Sequence, residues 1–169
     1  MRIELLFGDI TEYTADCIVN AAKTNLLGGG GVDGAIHKKA GKELQEYCKN
    51  LGGCKVGEAK LSPAFNLPSK YIIHTVGPRY LFQKESEVNN LKQCYLNSLE
   101  IAKKEKFESL VFSNISTGAY GFPKDLAAYT SFEVVSSFLM NNEFPSKVVF
   151  CCYDIENLEL YTSIIKERL

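Results

Sequence analysis

VNAAKTNLLGGGGVDGAIH, residues 19–37, carries an apolar strand into an asparagine, then through four consecutive glycines into an aspartate that opens a helical pattern. Strand, glycine loop and helix in that order form the repeating unit of α/β proteins. A loop so bare of side chains forgoes packing and carries a large ordering entropy. Something must therefore come close to its backbone.

Outward from this stretch the alternation continues. Ile3 to Phe7 and Cys17 to Asn20 read as short strands joined by the polar link GDITEYTAD. After the glycines, Ile36, Ala40, Leu44 and Cys48 recur at helical spacing, and the pair Gly52 and Gly53 ends that first helix. Glu58 to Ser62 and Tyr71 to Val76 read as strands. Val88, Leu91, Tyr95, Leu99 and Ala102 mark a second helix ending in the basic run KKEK. Ser109 to Asn114 is a buried strand followed by the loop ISTGAYGFP, and Pro123 starts a helix through about Met140. Lys147 to Tyr153 is the most apolar strand, and Leu158, Tyr161 and Ile165 place a last helix. Strands interleaved with helices predict an α/β sandwich around a largely parallel sheet. Residues 78–90, PRYLFQKESEVNN, read as an exposed loop.

Composition narrows the function. The 169 residues suit one domain, 1–169, with a sizeable core, and 46% apolar content is ordinary for a globular chain. Nineteen basic and twenty acidic residues nearly cancel, so no whole-molecule field draws the protein to nucleic acid or to an anionic membrane. Any anion must be held locally. The start MRIELLFGDI lacks the pattern of a secretory leader and no window nears the length of a membrane span, so the expected location is the cytoplasm. Cysteines at 17, 48, 54, 94, 151 and 152 sit mostly in apolar runs, and are expected as buried free thiols. The C-x5-C spacing of Cys48 and Cys54 is poor for zinc, and no metal is expected.

Two loops follow strand C-termini, the edge where open α/β sheets bind ligands. GGGVDG, residues 29–34, matches G-x-G-x-x-G, the dinucleotide fingerprint. It fails on context. Ala21 to Gly28 separate it from the strand, and Lys49 and Asn50 stand where an acidic strand end is required. No Gly-Lys-Ser/Thr is present for a Walker loop. What remains is exposed backbone N–H beside a helix N-terminus, suited to a phosphate. The segment Ser116 to Phe122 offers the same chemistry with added hydroxyls. Two such loops on one sheet edge can clamp a diphosphate, the centre of a nucleotide sugar or dinucleotide.

GDIT (8–11), VNAA with LLGGGGVDGAIH (19–22 and 26–37), HTVGP (74–78), ISTGAYGFP (115–123) and CYDIEN (152–157) together resemble the macrodomain family over essentially the whole chain. They are most similar to the branch that hydrolyses ADP-ribosyl esters and O-acetyl-ADP-ribose. The resemblance implies a three-layer α/β/α sandwich with a mixed, mostly parallel sheet, binding ADP-ribose across the strand ends. It implies that Asp9 accepts from the adenine amino group, that Ile10 supplies a backbone donor and an apolar wall, and that Tyr153 stacks on the base. Asn20, Gly30, Gly31 and Val32 would line the ligand from one side, and Ser116, Thr117, Gly118, Ala119 and Tyr120 from the other. Asp33 takes the place of the catalytic carboxylate. Read singly, Asp9 and Asp33 also suit caps, and Tyr153 also suits a core.

The resemblance breaks at one position. The family pattern NAAN has a second asparagine ten residues before the aspartate, and this chain has Lys23 there, with Asn25 two residues on. Lys23 thus replaces half of the catalytic pair. A lysine donates but cannot accept, and its charge lowers the basicity of Asp33. The implied activity is a hydrolase releasing mono-ADP-ribose from acidic side chains and deacetylating O-acetyl-ADP-ribose. The alternative is an ADP-ribose-binding module with little turnover. The implied partners are ADP-ribose, its esters and mono-ADP-ribosylated protein, with no cofactor, membrane or nucleic acid. A carboxylate is a good leaving group, so one base orienting a water suffices. His37, one turn after Asp33, and His74, inside YIIHTV, are expected to be structural histidines with their hydrogen bonds satisfied.

Overall fold

The computed structural model describes residues 1–168. Six strands, β1 (Ile3–Phe7), β2 (Cys17–Ala21), β3 (Ala59–Pro63), β4 (Tyr71–Thr75), β5 (Ser109–Phe112) and β6 (Lys147–Cys152), form one sheet in the order β1-β6-β5-β2-β4-β3. Every pairing is parallel except that of β3, which runs antiparallel to β4 at the edge. The helices are α1 (Gly31–Ala40), α2 (Lys42–Lys49), α3 (Glu85–Lys104), α4 (Lys124–Asn141) and α5 (Ile155–Arg168).

Period-two alternation sorts the strand side chains between two cores. Ile18, Ile72, Val111 and Val149 meet Ile36 and Ala40 of α1 and Leu44 and Cys48 of α2. On the opposite face, Val19, Ile73, Phe112 and Phe150 meet Leu91 and Tyr95 of α3, Phe132 of α4 and Tyr161 of α5. This is a three-layer α/β/α sandwich with a mixed, mostly parallel sheet. The Phe150 and Tyr161 rings stack with centroids 4.5 Å apart, and the buried Tyr161 hydroxyl pairs with Ser131 Oγ at 2.6 Å. All six cysteines are buried and free.

Two expectations are corrected. The helix expected from Ile36 to Cys48 is two helices, broken at Gly41 with φ +92°. The freed Ala40 carbonyl accepts from Asn66 N at 3.3 Å. Both helices cover the same sheet face, so their apolar spacing runs on through the bend and periodicity cannot register it. Residues 78–90 are not all loop either, because α3 begins at Glu85. Buried Glu87 turns back to accept from the backbone N–H groups of Leu81, Phe82 and Lys84 at 2.9–3.3 Å. The loop before it is pinned by that carboxylate, which a polar reading of the segment mistakes for solvation. No helix among the described residues is long and apolar enough to cross a membrane.

Candidate active site

A cleft of about 660 Å³ opens at the C-terminal ends of the parallel strands, a size suited to a nucleotide-scale ligand. Its walls are the segments that leave β1 (Gly8, Asp9, Ile10), β2 (Lys23 and Gly30 to Asp33), β5 (Asn114 and Ser116 to Tyr120) and β6 (Tyr153, Asp154).

The four glycines of the first loop divide by what faces them. A Cβ on Gly28 would press on the His37 ring at 3.2 Å, and one on Gly29 would stand 2.5 Å from Lys23 Cε. Gly34 meets the Gly29 carbonyl, at 2.4 Å from its would-be Cβ. These positions are glycine because the protein's own atoms pass there. Gly30 and Gly31 face open space within the cleft, and α1 begins there with its backbone N–H groups unpaired by helix bonds. Gly30 and Gly31 are thus the part of the loop shaped for a ligand, next to the positive end of a helix.

Asp33 lies in the first turn of α1 and is 4% exposed. Its Oδ1 accepts from Asn20 Nδ2 at 2.8 Å and stands 3.5 Å from His37 Nε2, while Oδ2 has no partner among the described residues. Burial raises the Asp33 pKa above the usual carboxylate value, against the Asn20 hydrogen bond and the charges of His37 and Lys23, which lower it. Burial likewise lowers the pKa of His37 against the pull of Asp33. A carboxylate with raised basicity and one uncommitted oxygen is suited to taking a proton from water. The thiol of Cys151, also in the cleft wall, is pushed up to about 12 by burial and is not a nucleophile at neutral pH.

At the other end, Asp9 caps a 3-10 turn, Ile10–Glu12, its Oδ1 accepting from Thr11 N at 2.9 Å and Thr11 Oγ1 at 2.7 Å. The hydrogen bond from the Thr11 side chain leads in holding its pKa down, so it stays ionised. Tyr153 is 81% exposed, with its ring available to a flat partner rather than in a core. In the second loop Ser116 adopts φ +65°, and its buried Oγ has no partner among the described residues. A Cβ on Gly77 would fall 2.1 Å from that oxygen.

The structure brings Asp9, Ile10, Lys23, Gly30, Gly31, Val32, Asp33, residues 116–120 and Tyr153 to one cleft. Asn20 is not at its wall. It is fully buried behind Asp33, because its side chain points down from β2 between α1 and β4. Asn25 is exposed and not among the cleft-lining residues, its Oδ1 accepting from Leu27 N. His37 is not satisfied, since neither ring nitrogen has a hydrogen-bond partner among the described residues. Gly77, Asn114, Lys124, Asp154 and Asn157 also line the cleft and were not expected. Gly77, Asp154 and Asn157 lie within HTVGP and CYDIEN, so the motifs contained them, whereas nothing in the sequence distinguishes Lys124 from other surface lysines.

A family model described as Macro domain matches residues 19–130. The O-acetyl-ADP-ribose deacetylase of Escherichia fergusonii is 44% identical over 171 residues, covering 99% of this chain and 97% of that one. A mutant of the Oceanobacillus iheyensis macrodomain, solved with ADPR, superposes with TM-score 0.94 at 38% identity over 98% of this chain and 92% of its own. The Trypanosoma brucei macrodomain in complex with ADP-ribose gives TM-score 0.91 at 36% identity, over 97% and 69%. With the cleft, the two loops and the fold in agreement, the chain belongs to the macrodomain family.

Proposed function

We propose that this protein binds ADP-ribose in the cleft and hydrolyses its esters, freeing ADP-ribose from acidic side chains and acetate from O-acetyl-ADP-ribose. The observation that carries the reading is Asp33, buried with raised basicity and a free Oδ2 beside the glycines that face the open cleft. In an ADP-ribosyl ester of aspartate or glutamate, Asp33 takes a proton from water as the water oxygen bonds to the anomeric carbon. The bond to the ester oxygen breaks, and the carboxylate departs with its electron pair. In O-acetyl-ADP-ribose the same water bonds to the acyl carbon instead, the bond from that carbon to the ribose oxygen breaks, and the ribose oxygen leaves with the proton that Asp33 took, freeing acetate. Asp9 and Tyr153 hold the adenine, and the two loops hold the diphosphate.

The second reading, a binding module with little turnover, is favoured by Lys23, whose charge lowers the basicity of Asp33. Incubation with O-acetyl-ADP-ribose and with a protein ADP-ribosylated on acidic residues decides between them. Release that is lost in Asp33→Ala, with ADP-ribose binding retained, supports the hydrolase. Binding without release supports the module.

A further inference from the structure

Behind Asp33 a line of polar side chains crosses three strands beneath α1 and α2. Asn20 of β2 is the register partner of His74 in β4, and Ser62 of β3 reaches the far side of the same imidazole. None of the three is more than 1% exposed. Asn20 Nδ2 lies 2.8 Å from Asp33 Oδ1 and 3.1 Å from His74 Nδ1. His74 Nε2 lies 2.8 Å from Ser62 Oγ, which donates to the Pro63 carbonyl at 3.0 Å.

The direction of this line follows from its ends. A carbonyl only accepts, so Ser62 spends its proton on Pro63 and must receive one from His74 Nε2. His74 is then the Nε2–H tautomer with a bare Nδ1, which accepts one amide hydrogen of Asn20. The other amide hydrogen points at the Asp33 carboxylate, which also only accepts. A proton on Nδ1 would drive the amide to flip and turn its oxygen on that carboxylate. His37, its ring centroid 6.2 Å away, Cys48 with Sγ 3.8 Å from Nε2, and Lys60, its register partner on β3, are the titratable neighbours of His74. Burial leads in lowering the His74 pKa to about 3, which keeps the ring neutral.

We propose that His74 is a positioning residue of the active site: its bare Nδ1 holds the Asn20 amide in the one orientation that anchors Asp33 Oδ1 and leaves Oδ2 for the water. Buried partners of this kind orient a reacting group without touching the substrate. The assignment of a catalytic consequence rests on the hydrolase reading, while the tautomer and the state of Asp33 do not.

The test compares wild type with His74→Leu, which removes the acceptor, His74→Asn, whose amide oxygen reaches near the place of Nδ1, and Ser62→Ala, a milder change at the far end. In the wild type, 15N NMR should show His74 as the Nε2–H tautomer, and an Nδ1–H signal overturns the proposal. In His74→Leu the Asp33 carboxyl, followed by 13C NMR, should titrate higher for want of an aimed N–H, and kcat should fall about 10–100-fold. KM and ADP-ribose affinity should stay within about twofold, since the cleft wall is untouched. His74→Asn should recover most of the loss. Wild-type kcat and Asp33 titration in folded His74→Leu, or an asparagine variant no better than leucine, overturn the role. If both His74 variants fail to fold, Ser62→Ala carries the test: a shift toward mixed tautomers with reduced kcat supports the line, and an unaltered tautomer with unaltered kcat overturns it. A wild type that releases no ADP-ribose defeats the hydrolase reading alone, and the tautomer and titration still decide the line.

Discussion

The alkyl chain of Lys23 lies across Gly29, where a Cβ would stand 2.5 Å from Lys23 Cε, 3.1 Å from its Nζ and 3.2 Å from Asp33 Oδ2. The glycine therefore leaves a lane in which a cation approaches the carboxylate without pairing with it.

A methyl group should close that lane. Gly29 does not have a left-handed φ, so alanine fits its backbone and the flexible lysine tip can swing into solvent. Gly29→Ala is expected to change unfolding stability by less than about 1 kcal/mol. It should change turnover in the same direction as Lys23→Ala, and the double variant should match Gly29→Ala, because the methyl already displaces the lysine and adds only its own approach to Asp33 Oδ2. Additive effects on turnover would mean that Gly29 acts through the ligand instead.

Asp9 should matter for binding more than for folding. If its carboxylate accepts from the adenine amine, Asp9→Ala weakens ADP-ribose by about 1.5–3 kcal/mol, the usual range for a hydrogen bond to a charged group. The inosine analogue, with a carbonyl in place of the amine, should lose affinity on the wild type and little more on Asp9→Ala. Calorimetry showing unchanged affinity in both experiments would leave Asp9 with its cap to Thr11 alone.

The raised pKa of Asp33 has a stability cost with a definite sign. Below the unfolded value, about 4, both states hold the proton and the group is neutral in its effect. As pH rises, the unfolded chain ionises first, so the folded state loses stability until the folded pKa is passed. The loss is complete once pH stands above the folded pKa. Asp33→Asn, which keeps an oxygen for the Asn20 amide, should therefore unfold at higher temperature than wild type at pH 7, by about 2–4 °C for each kcal/mol relieved. That gain should shrink toward zero near pH 4, while turnover is lost at every pH. Equal melting temperatures at pH 7 would mean that Asp33 carries no burial penalty.

How far these features could be read from the residues depends on their range along the chain. The layers follow from alternation within strands, and the placement of Asp33 follows from a strand, a glycine loop and a helix contiguous in sequence. Asn20, His74 and Ser62 belong to three strands whose order, β2-β4-β3, and register are set only by folding. Their line is therefore invisible in the sequence, which shows Asn20 only as a strand-end amide ahead of the glycine loop. The break at Gly41 escaped for the opposite reason, since a helical period that continues across a bend looks unbroken. The quadruple glycine misled in part, because Gly28 and Gly29 make room for His37 and Lys23 rather than for a ligand.

Position 23 offers the sharpest test of the chemistry. An asparagine there restores an amide that both donates and accepts, and it removes a cation that lowers the basicity of Asp33. Lys23 is exposed, its stem resting on Gly29, so the replacement should leave the fold intact. Turnover of Lys23→Asn should rise, with ADP-ribose affinity unchanged or slightly weaker, because a cation at the cleft wall also attracts the diphosphate. The cation favours the ionised form of Asp33, so its removal should move the acid limb of the kcat profile to higher pH. Adding Asp33→Ala should abolish the gain, since the amide acts only through what the carboxylate activates. A fall in turnover for Lys23→Asn, with binding intact, would instead assign the lysine an active part, such as holding a ribose hydroxyl or giving a proton to the leaving group.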